Sequence, residues 1–193
     1  MTSKQTKRHA VSHEMMNEQT EQPSSHKNEA TGKPSLCDVL VCTGFGAGFS
    51  PIAPGTAGAA AATAIWCIYT FLLPEYYLST TITAILIAAG TLLSIAPINR
   101  MERFWGEDAS RIVIDEMVGV WITLLVVPPM RQWYYIAAAF LLFRIYDILK
   151  PWGCRWLDKN VHGGWGVMLD DILAGIYGAL TLFAARQIQQ LCM

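Results

Sequence analysis

The sequence predicts an all-α fold, a polytopic helical membrane bundle of about four to five membrane helices with a re-entrant or interfacial N-terminal segment. Two observations lead to this prediction. Hydrophobic residues make up 53% of the chain and charged residues only 15%, whereas roughly a quarter of an average soluble domain is charged. Five apolar segments of 16–22 residues also follow one another, close to the roughly 20 residues that span a bilayer. Helices buried in a large soluble core are the alternative.

The first 35 residues differ from the rest of the chain. They contain nine of its 29 Lys, Arg, Asp and Glu residues. They lack the apolar stretch of a secretory signal peptide, and their polar composition is typical of disordered segments. We therefore predict a disordered polar tail over 1–35 and one helical membrane domain over 36–193.

Within that domain the elements can be predicted in order. A short helix up to about Thr43 comes first, and the loop GFGAGFSPIAPGTAG follows, since its glycines and prolines interrupt regular structure. Apolar runs then predict five membrane segments: Ala57–Leu73, Tyr77–Ile98, Ile112–Val127, Trp133–Leu149 and Leu169–Ala185.

Lys and Arg residues in the connections predict the orientation of the bundle. Five precede the first segment, three follow the second and three follow the fourth, whereas the other connections have none or one. This alternation predicts a cytoplasmic N-terminus and an outer C-terminus, although Arg186 after the last segment mildly opposes it.

With this orientation, charged residues of three segments fall at one depth on the cytoplasmic side. They are Asp115, Glu116, Arg144, Asp147, Lys150, Asp170 and Asp171. Charged groups within a membrane are costly and usually line a functional site. Carboxylates at one level repel one another unless protons, basic side chains or a cation compensate them. Oxygen ligands without nearby cysteine favour Mg²⁺ or Mn²⁺ over zinc.

Two simpler interpretations of these charges stay open. Acidic residues in the first turn of a helix can merely complement its dipole. Arg144 and Asp147, three residues apart on one helix face, can form a structural ion pair instead of an arginine fork for phosphate beside a metal-binding aspartate. Adjacent residues on a helix also project about 100° apart, so we expect the two acids of each neighbouring pair to point in different directions. One of them could ligate a metal while the other supports it or binds a second ion.

The glycine loop and one histidine are further candidates. The loop is no P-loop, because no GK[ST] follows its glycines, but its backbone N–H groups could face an anion. Gly46, Gly48, Ser50 and Thr56 are therefore candidate phosphate-binding residues, with tight packing of a re-entrant loop as the alternative. His162 could act as a general acid or base, or be an ordinary loop residue.

Other functions can be set aside. The net charge is −1 and no basic stripe occurs, which argues against nucleic-acid binding. The five cysteines have neither the paired spacing of a disulfide scaffold nor a zinc-binding pattern.

Four motifs together resemble the bacterial phosphatidylglycerophosphatase A family. In chain order they are GFGAGFSPIAPGTAG, VIDEMVGVWI, FRIYDILKPWG and DKNVHGGWGVMLDDILAG, within about residues 36–185. The resemblance implies an integral enzyme of the bacterial cytoplasmic membrane that requires Mg²⁺ and hydrolyses phosphatidylglycerophosphate to phosphatidylglycerol and inorganic phosphate. The positions that match the family's polar motif residues are Asp115, Glu116, Arg144, Asp147, Lys150, Asp158, Asn160, His162, Asp170 and Asp171. The chain departs from the family in its longer tail and at Gly153, where the family often has proline.

Together these observations predict a Mg²⁺-dependent lipid phosphatase whose site faces the cytoplasm. We expect Arg144 and Lys150 to bind the phosphate, and His162 to protonate the leaving glycerol oxygen. The nucleophile stays open between water and a side chain. The predicted metal ligands or their supporting residues are Asp115, Glu116, Asp147, Asp170 and Asp171.

The alternative function is a small membrane cation or proton carrier that uses the same carboxylates. A carrier should distribute polar residues through the depth of the membrane, whereas here they gather on one side. The outer parts of the third and fifth segments, WITLLVV and GALTLF, offer little to an ion. A purely structural membrane subunit would leave the acidic residues unexplained.

Overall fold

The computed structural model describes residues 33–73, 75–107, 109–128 and 133–192, and all regular structure within them is helical. The helices are α1 (Leu36–Cys42), a 3-10 helix (Ala47–Phe49), α2 (Pro54–Leu72), α3 (Tyr76–Trp105), α4 (Ile114–Leu124), α5 (Trp133–Leu149), α6 (Cys154–Asn160) and α7 (Gly163–Leu191). The predicted all-α fold is confirmed. The predicted disordered tail lies, except for its last three residues, outside the described part of the chain.

Each predicted apolar segment corresponds to one helix, but two helices are longer than predicted. α3 continues through Pro97 to Trp105, so Arg100 and Arg103 lie on a helix and not in a connection. α7 begins at Gly163 instead of Leu169, which places Asp170 and Asp171 about two turns inside it. Their role as first-turn acids that complement the helix dipole is therefore excluded.

Three of the helices, α2, α3 and α7, are long and apolar enough to cross a membrane. Large apolar side chains on their outer faces are exposed, among them Phe71, Leu92 and Leu93, which suits contact with lipid. α4 and α5 have 11 and 17 residues, fewer than the roughly 20 that cross the hydrocarbon core. The chain is thus a helical membrane bundle in which not every helix has spanning length.

α4 lies at the centre of the bundle and contacts α2, α3, α5 and α7. Nearly all its side chains are buried, and the Trp121 indole N–H donates a hydrogen bond to the Ala62 carbonyl of α2 at 3.0 Å. The apolar composition of this helix therefore reflects contact with four neighbouring helices. This also explains how a helix of 11 residues can be strongly apolar.

α4 and α7 approach each other at two glycines. A Cβ atom at Gly175 would lie 2.4 Å from the Gly119 carbonyl oxygen, so any larger residue would separate the helices. One turn along, the Thr123 hydroxyl donates a hydrogen bond to the Gly175 carbonyl at 3.0 Å. Small residues allow this kind of backbone contact between membrane helices, and here the contact brings the first turn of α4 beside the third turn of α7.

A side-chain hydrogen bond between helices occurs at each of the two ends of the bundle. α4 and α7 both begin at one end, which we call the acidic end. Here the Asn99 side-chain oxygen of α3 accepts a hydrogen bond from the Gly164 N–H of α7 at 2.7 Å. At the opposite end the Tyr135 hydroxyl donates a hydrogen bond to Gln189 at 2.7 Å.

Candidate active site

A cavity of about 400 Å³ opens at the acidic end. We call it the acidic cavity, because its wall contains eight carboxylates and two lysines. Its lining residues are Glu102, Glu107, Asp115, Glu116, Asp147, Lys150, Asp158, Lys159, Val161, His162, Gly163, Gly166, Val167, Asp170 and Asp171. Most of the predicted site residues thus meet in one cavity. This excess of carboxylates repels a phosphate ester unless protons, basic side chains or a cation compensate it.

Three carboxylates of this wall lie close together, and we call them the carboxylate cluster: Asp115, Glu116 and Asp171. Each offers one oxygen, and these oxygens all lie within 4.8 Å of one another. Asp115 is 8% exposed and Asp171 only 4%. In the described part of the chain, one oxygen of each carboxylate is buried without any hydrogen-bond partner.

The carboxylate cluster fits a divalent cation. Buried charges are strongly unfavourable unless they are paired or coordinate a metal, and among the described residues no basic side chain is bonded to these three acids of α4 and α7. Their oxygens are hard ligands of the kind that Mg²⁺ prefers. The residues present therefore match the requirements of such an ion.

The two neighbouring acid pairs behave differently. We expected the two acids of each pair to point in different directions, but Asp115 and Glu116 both reach the cluster. The longer side chain of Glu116 passes close to Gly55 of α2, where a Cβ atom would lie 2.1 Å from its carboxylate oxygen. The two acids of the second pair do diverge: Asp171 joins the cluster, whereas Asp170 binds Lys150.

Five other charged residues at the site form ion pairs, and we call them the ion-paired rim: Arg144, Asp147, Lys150, Asp158 and Asp170. The Lys150 ammonium donates to Asp158 at 2.5 Å and to Asp170 at 2.8 Å, and the Arg144 guanidinium donates to Asp147 at 2.5 Å. Burial opposes the charge on Lys150, but the hydrogen bonds to both aspartates outweigh it and raise the pKa of this ammonium above its usual value. Asp147 and Asp170, two of the five predicted metal ligands, are thus compensated by basic side chains.

Arg144 lies beside the cavity without being part of its wall. Its Nε–H group is buried and, among the described residues, lacks a hydrogen-bond partner. A Cβ atom at Gly55 would lie 3.4 Å from its Nη1 atom and still closer to the Glu116 carboxylate. The guanidinium therefore lies next to the carboxylate cluster while it is bonded to Asp147, which places one unused donor near the cavity.

The glycine loop differs from its predicted role. The N–H groups of Gly46 and Gly48 donate hydrogen bonds to Thr43 within the loop, so they are not directed at a phosphate. Gly48 also packs against the Arg111 carbonyl, 2.1 Å from where a Cβ atom would lie. Ser50 donates to the Ile52 carbonyl, and neither Ser50 nor Thr56 lines the acidic cavity. The loop residue that touches the site is Gly55, which the sequence did not single out.

His162 lies where it could serve a substrate. It immediately precedes α7, is exposed and lines the acidic cavity. Asn99, which sequence reasoning missed, fixes this region through its bond to Gly164. Asn160 instead donates to the Trp156 carbonyl, a bond within its own helix. Glu102 was also missed because α3 was predicted to end before it.

The turn between α5 and α6 has a backbone that proline could not adopt at Gly153. This residue has φ +97°, whereas proline requires about −65°. A proline at this position would therefore require a different conformation of the turn. The Tyr177 hydroxyl of α7 donates to the Trp152 carbonyl at 3.0 Å and holds the turn against the bundle.

Comparison with known proteins identifies related sequences. A family model described as "Phosphatidylglycerophosphatase A" matches residues 40–186. The chain is 54% identical to a Bacteroides thetaiotaomicron protein named "Putative phosphatidylinositol-3-phosphatase", over 81% of this chain and 98% of that protein. It is 39% identical to "Phosphatidylglycerophosphatase A" of Escherichia coli K12, over 82% of this chain and 90% of the relative. The Haemophilus influenzae protein of the same name is 40% identical over 76% and 87%. No solved structure matches the chain.

Proposed function

This chain belongs to the phosphatidylglycerophosphatase A family of phosphoric monoester hydrolases, and from that premise we propose that it hydrolyses phosphatidylglycerophosphate to phosphatidylglycerol and inorganic phosphate with Mg²⁺ as cofactor. The carboxylate cluster is the observation that supports a Mg²⁺ cofactor. Its three buried oxygens without partners need positive charge, and so does a phosphate ester that enters an acidic cavity.

In this proposal the residues divide the work according to their surroundings. Asp115, Glu116 and Asp171 would hold the cation, which supplies positive charge for the phosphoryl oxygens and lowers the pKa of water. The free Nε–H of Arg144 and the ammonium of Lys150 would bind the phosphate oxygens, as charge-assisted donors do.

A residue in the exposed wall of the cavity would supply the proton for the leaving group. His162 lies there at the start of α7, and an imidazole is a common general acid for a leaving oxygen. From this position it would protonate the leaving glycerol oxygen. Water would supply the oxygen atom that inorganic phosphate gains when the P–O bond to glycerol breaks.

We place the site at the cytoplasmic face of the bacterial cytoplasmic membrane. Basic residues near the acidic end support this orientation: Arg100, Arg103 and Arg111 at and after the end of α3, and Lys150, Arg155 and Lys159 around α6. Basic residues are enriched on the cytoplasmic side of membrane proteins. The acyl chains of the substrate would stay in the bilayer while its headgroup enters the cavity.

The Bacteroides relative favours a second candidate substrate. That relative is named "Putative phosphatidylinositol-3-phosphatase", and it is 54% identical over 81% of this chain. The name indicates a phosphatidylinositol 3-phosphate substrate for that protein. Both lipids have a phosphomonoester on a headgroup that a phosphodiester joins to diacylglycerol. The same site chemistry would suit either lipid, so activity on both needs to be measured.

The cation-carrier alternative gains no support from the interior of the bundle. Buried polar groups towards the opposite end are mainly hydroxyls bonded to carbonyls of their own helix, as in the bonds from Thr70 to Trp66 and from Thr83 to Ser79. Such groups already have partners and would not readily solvate an ion.

The direct test is phosphate release by the purified protein in neutral detergent micelles, with each lipid in turn. We expect turnover of phosphatidylglycerophosphate that stops when EDTA removes divalent cations and returns with Mg²⁺. Turnover of neither lipid would refute the phosphatase proposal. Turnover that persists unchanged in EDTA would refute the metal proposal and keep the phosphatase.

A further inference from the structure

A second cavity of about 370 Å³ lies beside the acidic cavity. Lys150 and Lys159 line both cavities, so the two share a boundary. The remainder of its wall comes from the turn after α5 and from α6, and includes Trp152, Arg155 and Trp156. We call it the basic groove, since none of its lining residues is acidic.

Two cations of this groove differ from those of the ion-paired rim. Arg155 and Lys159 are exposed, and in the described part of the chain neither forms an ion pair. Lys150, by contrast, binds two aspartates. The groove therefore presents uncompensated positive charge directly beside a cavity with eight carboxylates. Such charge attracts an anionic group that is not already bound to the carboxylate cluster.

The aromatic residues of the groove place it at the level of lipid headgroups. Trp152 is 94% exposed and Trp156 is 61% exposed, although both are large and partly apolar. Tryptophan is enriched where a membrane meets water. Because the groove follows the end of α5, at the acidic end of the bundle, its rings would lie among the glycerol and phosphate groups of the bilayer.

We propose that the basic groove binds the phosphodiester of the substrate lipid while the phosphomonoester occupies the acidic cavity. This inference rests on the proposed function. Arg155 and Lys159 would contact the diester oxygens, and the tryptophan rings would lie against the adjoining glycerol backbone. A lipid with both groups fills both cavities, whereas a lipid with a lone phosphomonoester, such as phosphatidic acid, fills only one. The groove thus selects lipids whose monoester lies on a headgroup.

The test is the double variant Arg155→Gln, Lys159→Gln, assayed on phosphatidylglycerophosphate in neutral detergent micelles. Loss of charge-assisted hydrogen bonds of the usual strength should raise KM about tenfold or more. We expect kcat to stay within about twofold, because both residues act on the part of the lipid that does not react. In the single variant Arg155→Gln, whose residue lines only the basic groove, inhibition by inorganic phosphate should not change, because it needs only the acidic cavity.

Two matched variants separate this role from simpler ones. Arg103→Gln removes a similar exposed charge at the end of α3, outside both cavities, and should leave KM unchanged. The single variant Lys159→Arg, which retains Arg155 and the charge at position 159, should keep KM near that of the wild type. Elution volume and thermal unfolding of each variant establish that it is folded.

The outcomes distinguish the two proposals. If the wild type hydrolyses the lipid but KM of the double variant is unchanged, or rises no more than in Arg103→Gln, the basic groove is not the phosphodiester site. A fall in kcat with constant KM would also overturn it. If the wild type releases no phosphate from the lipid, the proposed function is wrong, and the proposal for the basic groove, which rests on it, is wrong as well.

Discussion

The carboxylate cluster and the ion-paired rim belong to one cavity but solve the problem of buried charge differently. In the rim, every aspartate has a basic partner: Lys150 binds Asp158 and Asp170, and Arg144 binds Asp147. In the cluster, three acids within 4.8 Å of one another lack such a partner among the described residues. Asp170 and Asp171 are neighbours in sequence, yet one belongs to each group.

This difference indicates which charges serve structure and which await a ligand. A paired aspartate is compensated in the protein alone, so its loss should mainly disturb the position of its partner. An unpaired cluster is unfavourable until a cation binds, so its loss should abolish cation binding without reducing stability. The following predictions test this division, from the largest expected effect to the smallest.

Asp171→Asn should remove most activity, because it takes one charged oxygen from the carboxylate cluster and keeps the side-chain shape. We expect kcat to fall at least about a thousandfold, since metal catalysis contributes several kcal/mol. The variant should be as stable as the wild type or more so in EDTA, because repulsion between the acids decreases. Phosphate release and thermal unfolding measure the two effects.

Asp158→Asn is the matched control, since Lys150 keeps its bond to Asp170. It should lose less than about tenfold in activity, as exposed ion pairs contribute little. Equal losses in the two variants would remove the distinction between the cluster and the rim.

Lys150→Met should lower both activity and stability. It removes a proposed phosphate donor, which we expect to cost about a hundredfold in kcat/KM. It also leaves the buried Asp170 carboxylate unpaired, which should lower the free energy of unfolding by about 1–3 kcal/mol. Denaturation of the purified protein in detergent tests this. Adding Asp170→Asn should restore much of the stability without the activity, and a failure to restore it would mean that the ion pair is not the cause.

Mg²⁺ should stabilise the wild type and leave Asp171→Asn unaffected. At a hundredfold excess over Kd, a ligand that binds only the folded state contributes about 2.7 kcal/mol. Thermal unfolding with Mg²⁺ and with EDTA measures this contribution independently of substrate. An equal shift in Asp171→Asn would place the binding of the cation elsewhere.

Of the two substitutions that disturb the carboxylate cluster, Gly55→Ala should have the smaller effect, about a tenfold loss of activity with normal folding. The new methyl group would lie 2.1 Å from the Glu116 carboxylate and must displace it. Even a small displacement of a catalytic group lowers the reaction rate. Ala60→Ser, on the exposed face of the same helix, is the control. Full activity in Gly55→Ala would indicate that the position of Glu116 is not critical.

The sequence predicted the helices better than the contacts of their side chains. All five apolar segments are helices, because long apolar runs need internal backbone hydrogen bonds in a membrane. Helix ends were less predictable: α3 continues through polar residues after its apolar run, and α7 begins with a glycine-rich stretch that helix propensity disfavours. For this reason the sequence missed Asn99 and Glu102 and placed Asp170 and Asp171 in a first turn.

What the sequence by itself determined is the all-α fold, the gathering of acids at one end and the family, because these depend on residue type and order along each helix. Only the tertiary structure decided which carboxylate meets which partner. The rotation of α4 and α7 about their axes, set by the Gly119–Gly175 contact, directs Asp171 towards Asp115 and Asp170 towards Lys150. A turn of about 100° separates neighbours on a helix, and that angle assigns one aspartate to the cluster and the other to the rim.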